Sequence, residues 1–453
     1  MKKIKYYAAL YSAKITTLAL KIFGKKVPYY PGVIAQKVDK NFIMSSKKPS
    51  LIIGVTGTNG KTTVSTMLCD YFKNIGKAVV SNDGYNLDTG VAASLVKHTN
   101  IFGKLKGDVW ILEVDERDSG DIFSKVEFDY LIVTNLFRDS MKRNAHVEYI
   151  FNLIKKNLNK KTKLILNADD IISSDLDKYN NAQYYSISKL NTDKDKQESK
   201  MCDIRYCPKC GNELVFEYVR YHHIGKVKCS KCDFKNKKAK YVANIDFNKN
   251  EIIINNDKYD LITNSIFNAY NLLSVVSLLY ELNYPYKDIK KGLVNLKVDT
   301  SRWDETVVND IKLNFILAKG QNSIACSTVF KYLKEEKDDK TVLLMLDDVE
   351  DNIESTETIS WIYDADFEFL NDDKIKQIIV GGARCYDYKL RLLIAGVDES
   401  KIKVIPSEYD MPELIDFNKS KHIYLLFEVF ALEKATEVKN NIIKRMGEIN
   451  DKN

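Results

Sequence analysis

The stretch Gly54-Val55-Thr56-Gly57-Thr58-Asn59-Gly60-Lys61-Thr62-Thr63 has the residue types that a polyphosphate requires. Leu51-Ile52-Ile53 before it reads as a short buried strand, and Val64 to Asn74 after it reads as a helix. Strand, glycine-bearing turn and helix make a phosphate site. Gly57 and Gly60 let the backbone bend tightly, Thr58, Asn59 and Thr63 present N–H groups with them, and the helix adds its positive N-terminal end. Lys61 would reach the terminal phosphates, and the Thr62 hydroxyl would sit on Mg²⁺. An ordinary turn before a helix needs no such set. The usual P-loop pattern has a glycine five residues before Gly60, where this chain has Val55.

Cysteines supply a second chemistry. The chain has eight, five of them between Cys202 and Cys232. Cys207-Pro208-Lys209-Cys210 and Cys229-Ser230-Lys231-Cys232 are paired CxxC knuckles with eighteen residues between them. Thiolates at this spacing close a tetrahedral Zn²⁺ site. Four sulfur ligands leave no open position, so the expected role is structural. Cys202 is a spare thiol, and His222 and His223 are unnecessary as ligands. Cys69, Cys326 and Cys385 read as buried small side chains.

These residues need elements to hold them. Ala78–Ser81, Val109–Glu116, Tyr130–Asn135 and Lys163–Asn167 are apolar runs between helical stretches, the pattern of a mostly parallel α/β sheet. Ligands of such sheets sit at the carboxyl ends of strands. Glu113, Asp115, Glu116, Asn135, Asn167, Asp169 and Asp170 would therefore face the phosphate loop. Glu113 is the best second Mg²⁺ ligand; a solvated acidic loop is the alternative for Glu116 and, with less force, for Glu113, since buried carboxylates need partners. After the cysteine unit come a hairpin near Ile252–Leu261 and a helix from Ser265 to Leu282. A second α/β block begins near 308, with strands at Thr341–Leu346, Gln377–Val380, Lys403–Ile405 and Ile423–Phe427, and a charged helix follows Glu433.

Bulk properties limit the alternatives. The 453 residues suffice for two or three domains, and 45% hydrophobic with 29% charged residues is a globular balance. A formal net charge of +7 is mild for this length. Arg205, Lys209, Arg220, Lys226, Lys228, Lys231 and Lys235, interleaved with Tyr206, Tyr218 and Tyr221, suggest single-strand binding, but no nucleic acid is expected on that charge. The basic start, Met1-Lys2-Lys3-Ile4-Lys5, resembles a signal peptide, yet Lys14 and Lys21 interrupt the apolar run. Tyr6 to Phe23 reads as an amphipathic helix packed on the nucleotide domain, with a membrane-surface role as the alternative.

The form Gly57-Thr58-Asn59-Gly60-Lys61-Thr62 is similar to the loop of Mur ligases and folylpolyglutamate synthetases, which implies ATP used to activate a carboxylate as an acyl phosphate. Together with Glu113-Val114-Asp115-Glu116, Thr134-Asn135-Leu136-Phe137-Arg138-Asp139, the Cys207-to-Cys232 unit, Tyr270-Asn271, Ser360-Trp361-Ile362-Tyr363-Asp364 and Gly382-Ala383-Arg384, it resembles the MurT family, the Mur ligase-like subunits of lipid II isoglutaminyl synthase. The resemblance spans nearly the whole chain. Its most specific element is the zinc ribbon, which ordinary Mur ligases lack.

The resemblance implies an N-terminal helix and loop (1–45), a Mur ligase-like P-loop central domain with a parallel sheet (46–298) and an inserted zinc ribbon (201–240). A smaller Rossmann-like C-terminal α/β domain follows (299–453). It implies amidation of the D-glutamate α-carboxylate of the lipid II stem peptide, with ATP, Mg²⁺ and Zn²⁺, and with ammonia from a GatD-like glutamine amidotransferase. The place would be the cytoplasm, at the inner face of the membrane. Lys61 and Glu113 would serve phosphoryl transfer, Asn271 would lie near the nucleotide, and Arg302 near the phosphates. The family lends an aspartate to the partner's Cys-His site; here that position is Thr358, with Glu357 beside it as the replacement carboxylate. Trp303 and Asp304, Lys319-Gly320-Gln321-Asn322, the segment Asp347 to Asn352 and Glu428-Val429-Phe430-Ala431 also depart from the family pattern. Two other readings stay open: a divergent paralogue acting on a different carboxylate, and a nucleotide-binding zinc-ribbon scaffold.

Overall fold

The computed structural model describes residues 2–25, 27–138, 146–294, 296, 303–347 and 359–448. Two compact units divide the chain: 1–137 with 147–197 and 203–298, and 138–146 with 198–202 and 299–453. No helix among the described residues is long and apolar enough to cross a membrane.

The first unit opens with α1 (Lys2–Ile22), α2 (Tyr30–Val38) and α3 (Phe42–Ser45). Tyr6, Ala9, Leu10 and Ala13 of α1 are buried in one core with Phe42, Val91, Trp110 and Leu112. Their three- and four-residue spacing is that of a helix face set against a partner. Then come β1 (Leu51–Thr56), α4 (Lys61–Asn74), β2 (Val79–Ser81), α5 (Asp88–His98), β3 (Val109–Glu113), α6 (Ser119–Lys125), β4 (Tyr130–Val133), α7 (Val147–Asn157), β5 (Lys163–Asn167) and β6 (Ala182–Ile187). The hairpin β7 (Leu214–Tyr221) and β8 (Ile224–Cys229) precedes β9 (Tyr241–Asp246), β10 (Glu251–Ile254), β11 (Asp257–Asp260), α8 (Ile266–Glu281) and α9 (Tyr286–Gly292).

Among the described residues, nine strands form one sheet in the order β11-β10-β9-β6-β5-β4-β1-β3-β2. The run from β9 to β2 is parallel, and β10 and β11 join it antiparallel. β1 lies between β3 and β4, with Val55 opposite both Glu113 and Ile132. The loop leaving β1 is thus flanked by the ends of its two neighbours. Every residue of α8 from Ala269 to Leu279 is buried, which wedges that helix against the sheet, with Asn271 beside the loop at Gly60.

The second unit holds β12 (Trp303–Val308), β13 (Ile311–Leu317), α10 (Ser323–Glu335), β14 (Lys340–Met345), α11 (Trp361–Asp364), β15 (Ile375–Gly381), α12 (Cys385–Ile394), β16 (Ile402–Ile405), β17 (His422–Phe427) and α13 (Leu432–Glu448). Among the described residues its sheet order is β12-β13-β17-β14-β15-β16, antiparallel only at β12–β13. Separate apolar clusters cover its two faces. The sequence pattern did not mark β12 and β13, and the strands of this block begin at Trp303 rather than near 308. Asn309 and Asp310, both at positive φ (50° and 60°), turn β12 into β13, the geometry of a tight hairpin.

Candidate nucleotide site and cysteine cluster

Gly57 and Gly60 bend the chain between β1 and α4 at φ of +126° and +88°. A Cβ on Gly57 would lie 2.3 Å from Thr134 Oγ1, and one on Gly60 would lie 2.3 Å from Asn271 Oδ1. The loop is pinned to the end of β4. Asn135 accepts from Thr58 N through its carbonyl and from Asn59 N through Oδ1, each at 3.0 Å. Thr134 Oγ1 donates to Asn59 O at 2.6 Å. Thr58 Oγ1 donates to Phe137 O and accepts from Phe137 N, at 3.2 and 2.9 Å. α4 then begins at Lys61, followed by Thr62 and Thr63.

Lys61 Nζ donates to Gly57 O at 2.6 Å and pairs with Glu116 Oε2 at 2.8 Å. Burial pushes the Lys61 ammonium down, but Glu116 and the further carboxylates Asp115 and Glu113 outweigh it and hold it above its ordinary value. Burial in turn pushes the Glu116 carboxyl up, against the pull of Lys61. Glu113, at the end of β3, is buried. It accepts from Thr62 Oγ1 at 3.1 Å and Ser65 Oγ at 3.5 Å. Its main chain is clamped by Asn82, which accepts from Glu113 N at 3.0 Å and donates to Glu113 O at 2.7 Å. A hydroxyl and a carboxylate at the start of α4, beside a lysine and a glycine cradle, suit a divalent cation and a polyphosphate.

Glu113, Glu116 and Asn135 do face the loop, and the buried Glu116 is not a solvated loop residue. Asn167, Asp169 and Asp170 bond elsewhere: Asn167 within its own turn, and the two aspartates to the β7–β8 hairpin. Asn167 Oδ1 accepts from Asp169 N at 3.0 Å. Asp169 Oδ2 lies 3.2 Å from Arg220 Nη1 and accepts from Tyr270 OH at 2.7 Å. Arg220 also donates to Tyr270 OH, and its Nη2 meets Asp193 at 2.8 Å. The fold thus buries Arg220, one of the basic residues between Arg205 and Lys235 whose pattern suggested single-strand binding. His223 Nε2 is 3.1 Å from Asp170 Oδ1, whose other oxygen accepts from Leu136 N at 2.9 Å. The His223 ring packs 4.6 Å from that of Phe137. The hairpin tip is therefore linked on one side to Tyr270-Asn271 and on the other, through Phe137, to Thr58. Residue types alone carried no signal for these long-range pairs.

The four knuckle cysteines converge. Their sulfurs lie within 4.8 Å of one another, with Cys207–Cys232 at 3.6 Å and Cys210–Cys229 at 3.4 Å. Four sulfurs about 2.3 Å from a tetrahedral zinc would stand roughly 3.8 Å apart. Lys209 N and Lys231 N each donate to the first sulfur of their knuckle at 3.4 Å. Hydrogen bonds from Asn212 lower the Cys210 thiol to about 6, while Cys232, despite a backbone hydrogen bond from Phe234, is raised to about 12 by burial and its cysteine neighbours. Cys207, Leu214, Val227 and Cys229 pack on Ile171. Cys202 stands outside the cluster, and Cys69, Cys326 and Cys385 are buried.

In the second unit, Asp347 Oδ2 accepts from Arg384 N at 3.1 Å, and a Cβ on Gly382 would lie 2.3 Å from that oxygen. Asn322 caps α10 by accepting from Ala325 N at 2.9 Å. Arg302, Glu357 and Thr358 lie outside the described residues.

Comparison with known proteins places this geometry. The family model for the Mur ligase middle domain matches residues 55–230, and that for the MurT ligase C-terminal matches residues 319–431. The chain is 32% identical over 401 residues to the lipid II isoglutaminyl synthase (glutamine-hydrolyzing) subunit MurT of Staphylococcus aureus (strain COL), covering 87% of this chain and 89% of that one. It is 25% identical over 420 residues to the subunit of the same name from Streptococcus pneumoniae, covering 90% and 91%. Among solved structures, a pseudomurein peptide ligase type C from Methanothermus fervidus shares the fold with a TM-score of 0.66 at 20% identity, over 89% of this chain and 81% of that one.

Proposed function

The chain belongs to the MurT family, and from that premise we propose that it is the ATP-dependent amidating subunit of a lipid II isoglutaminyl synthase. An oxygen of the D-glutamate α-carboxylate in the lipid II stem peptide attacks the γ-phosphorus of ATP, and the bond from that phosphorus to ADP breaks. Ammonia adds to the carbonyl carbon of the acyl phosphate and loses a proton. Phosphate leaves, and the amide of D-isoglutamine remains.

Lys61 would hold the terminal phosphates, with the backbone of Gly57, Thr58, Asn59, Gly60, Thr62 and Thr63 around them. Thr62 and Glu113 would hold Mg²⁺, whose charge offsets that of the polyphosphate during transfer. Asn271 borders the loop at Gly60 and would line the nucleotide. Arg302 would lie near the phosphates by family position. Cys207, Cys210, Cys229 and Cys232 would hold Zn²⁺ as a structural ion. A GatD-like glutaminase would supply the ammonia, and Glu357 would orient that partner's histidine.

The observation that carries this reading is the convergence of Lys61, Thr62, Glu113 and Glu116 at the ends of β1 and β3 in a chain of this family. The test is mass spectrometry of lipid II after incubation with ATP, Mg²⁺ and glutamine, with and without the GatD-like protein, and with free ammonia. Amidated lipid II with the partner, or with ammonia, is expected. Unchanged lipid II in every arm, with ATP bound, would overturn the proposal and favour another carboxylate.

A further inference from the structure

Helix α1 carries two apolar faces. The inner one packs into the core. The outer one is Ile4, Ala8, Tyr11, Ile15, Leu18 and Ile22, all exposed. At 100° per residue these six fall within about 40° of a common line, directly opposite the buried face. Ile4, Ile15, Leu18 and Ile22 are each between 60% and 74% exposed. The 21 residues of the helix give a stripe roughly 30 Å long.

A separate segment extends the stripe. The turn Asn100–Lys104 presents Ile101 and Phe102, the latter 77% exposed. It is fastened to α1 by Tyr7 OH, which donates to Phe102 O at 3.3 Å. Tyr7 and Tyr11 lie ring to ring at 5.9 Å, so turn and stripe are continuous. Contiguous exposed apolar surface of this kind marks an interaction site.

Charge identifies what it meets. The first 38 residues contain eight lysines and no aspartate or glutamate; the remaining chain carries 61 basic and 62 acidic side chains. The whole positive excess of the protein is thus concentrated on the segment bearing the stripe. Lys3, Lys14 and Lys21 run along one flank of the stripe and Lys5 lies on the other, by the same helical geometry. A second copy laid on this face would bring lysines against lysines. An anionic bilayer offers hydrocarbon to the stripe and phosphate to the lysines.

We propose that the outer face of α1, together with Ile101 and Phe102, is a docking surface for an anionic lipid bilayer. That it brings the chain to a lipid-linked substrate rests on the proposed function; the docking itself does not.

The test is flotation of the full chain with vesicles of phosphatidylglycerol and phosphatidylcholine, against vesicles of phosphatidylcholine alone. Ile15→Glu/Leu18→Glu is the variant; ATP binding and thermal unfolding confirm that it is folded, and light scattering reports its oligomeric state. The wild type should float with the anionic vesicles only, and high salt should release it. The variant should lose at least tenfold in vesicle partitioning with ATP binding intact. Equal flotation of variant and wild type, no flotation of the wild type at low salt, or a wild-type dimer that the variant dissolves would each overturn the proposal. Amidation of lipid II in detergent separates the two readings. Its failure alongside variant-sensitive flotation removes the proposed function and leaves the docking surface. Its success without flotation does the reverse.

Discussion

Arg220→Met tests how the hairpin is held to the nucleotide unit. The Arg220 side chain is 2% exposed, its partners Asp169 and Asp193 are 2% and 0% exposed, and the contacts are 3.2 and 2.8 Å. Methionine fills much of the volume but removes the cation, leaving two buried carboxylates without it. Breaking a buried pair from one side costs about 3–5 kcal/mol. At about 2–4 °C per kcal/mol for a unit of this size, the melting midpoint should fall by roughly 10 °C. Arg220→Met/Asp169→Asn should recover part of that loss, because most of the cost lies in the stranded charge. ATP affinity should weaken as well, since Tyr270 bonds Asp169 and its neighbour Asn271 abuts Gly60. Calorimetric melting and ATP titration at low temperature read both effects. A single variant within about 0.5 kcal/mol of wild type, or a double variant no better than the single, would refute the reasoning.

Lys61→Ala should abolish ATP turnover and also destabilise the unit, because Glu116 is left buried without its partner. Adding Glu116→Gln should restore the melting midpoint but not turnover, and restored turnover would remove Lys61 from the chemistry. Cys207→Ser/Cys229→Ser should lose bound zinc, measured by elemental analysis, and lower the midpoint; full metal content would place the ligands elsewhere. Burial works to raise the Asp170 carboxyl, but bonds from His223, Ser173 and Leu136 outweigh it and hold it below its ordinary value. Its contribution is therefore present above the unfolded value of about 3.9 and is lost as pH falls through the lower folded value. Acid unfolding of Asp170→Asn should show a shallower dependence on pH than the wild type; superimposable curves would contradict that role.

The phosphate loop and the cysteine knuckles were legible in the sequence because their chemistry is local. Gly57 and Gly60 need positive φ, Lys61 and Thr62 follow at fixed offsets, and four thiols at CxxC spacing converge on one point. Strand ends were legible only in part. Apolar runs marked β3 to β5, but nothing local distinguishes Glu116, which meets Lys61, from Asp169 and Asp170, which meet Arg220 and His223. Those choices depend on which strand lies beside β1 and where the hairpin lands, both set by pairing over long sequence distance. The hairpin β12–β13 did carry a local signal, the Asn309-Asp310 turn followed by the alternating run Ile311-Lys312-Leu313-Asn314-Phe315.

The central claim is that this chain activates a carboxylate with ATP, and oxygen transfer tests it most directly. Lipid II carrying heavy oxygen in the D-glutamate α-carboxylate is incubated with the protein, ATP, Mg²⁺ and ammonia. An acyl phosphate passes one of those oxygens to inorganic phosphate when ammonia displaces it, so amide formation should be matched by labelled phosphate. Amide formed with unlabelled phosphate, or no amide at all, would contradict the account.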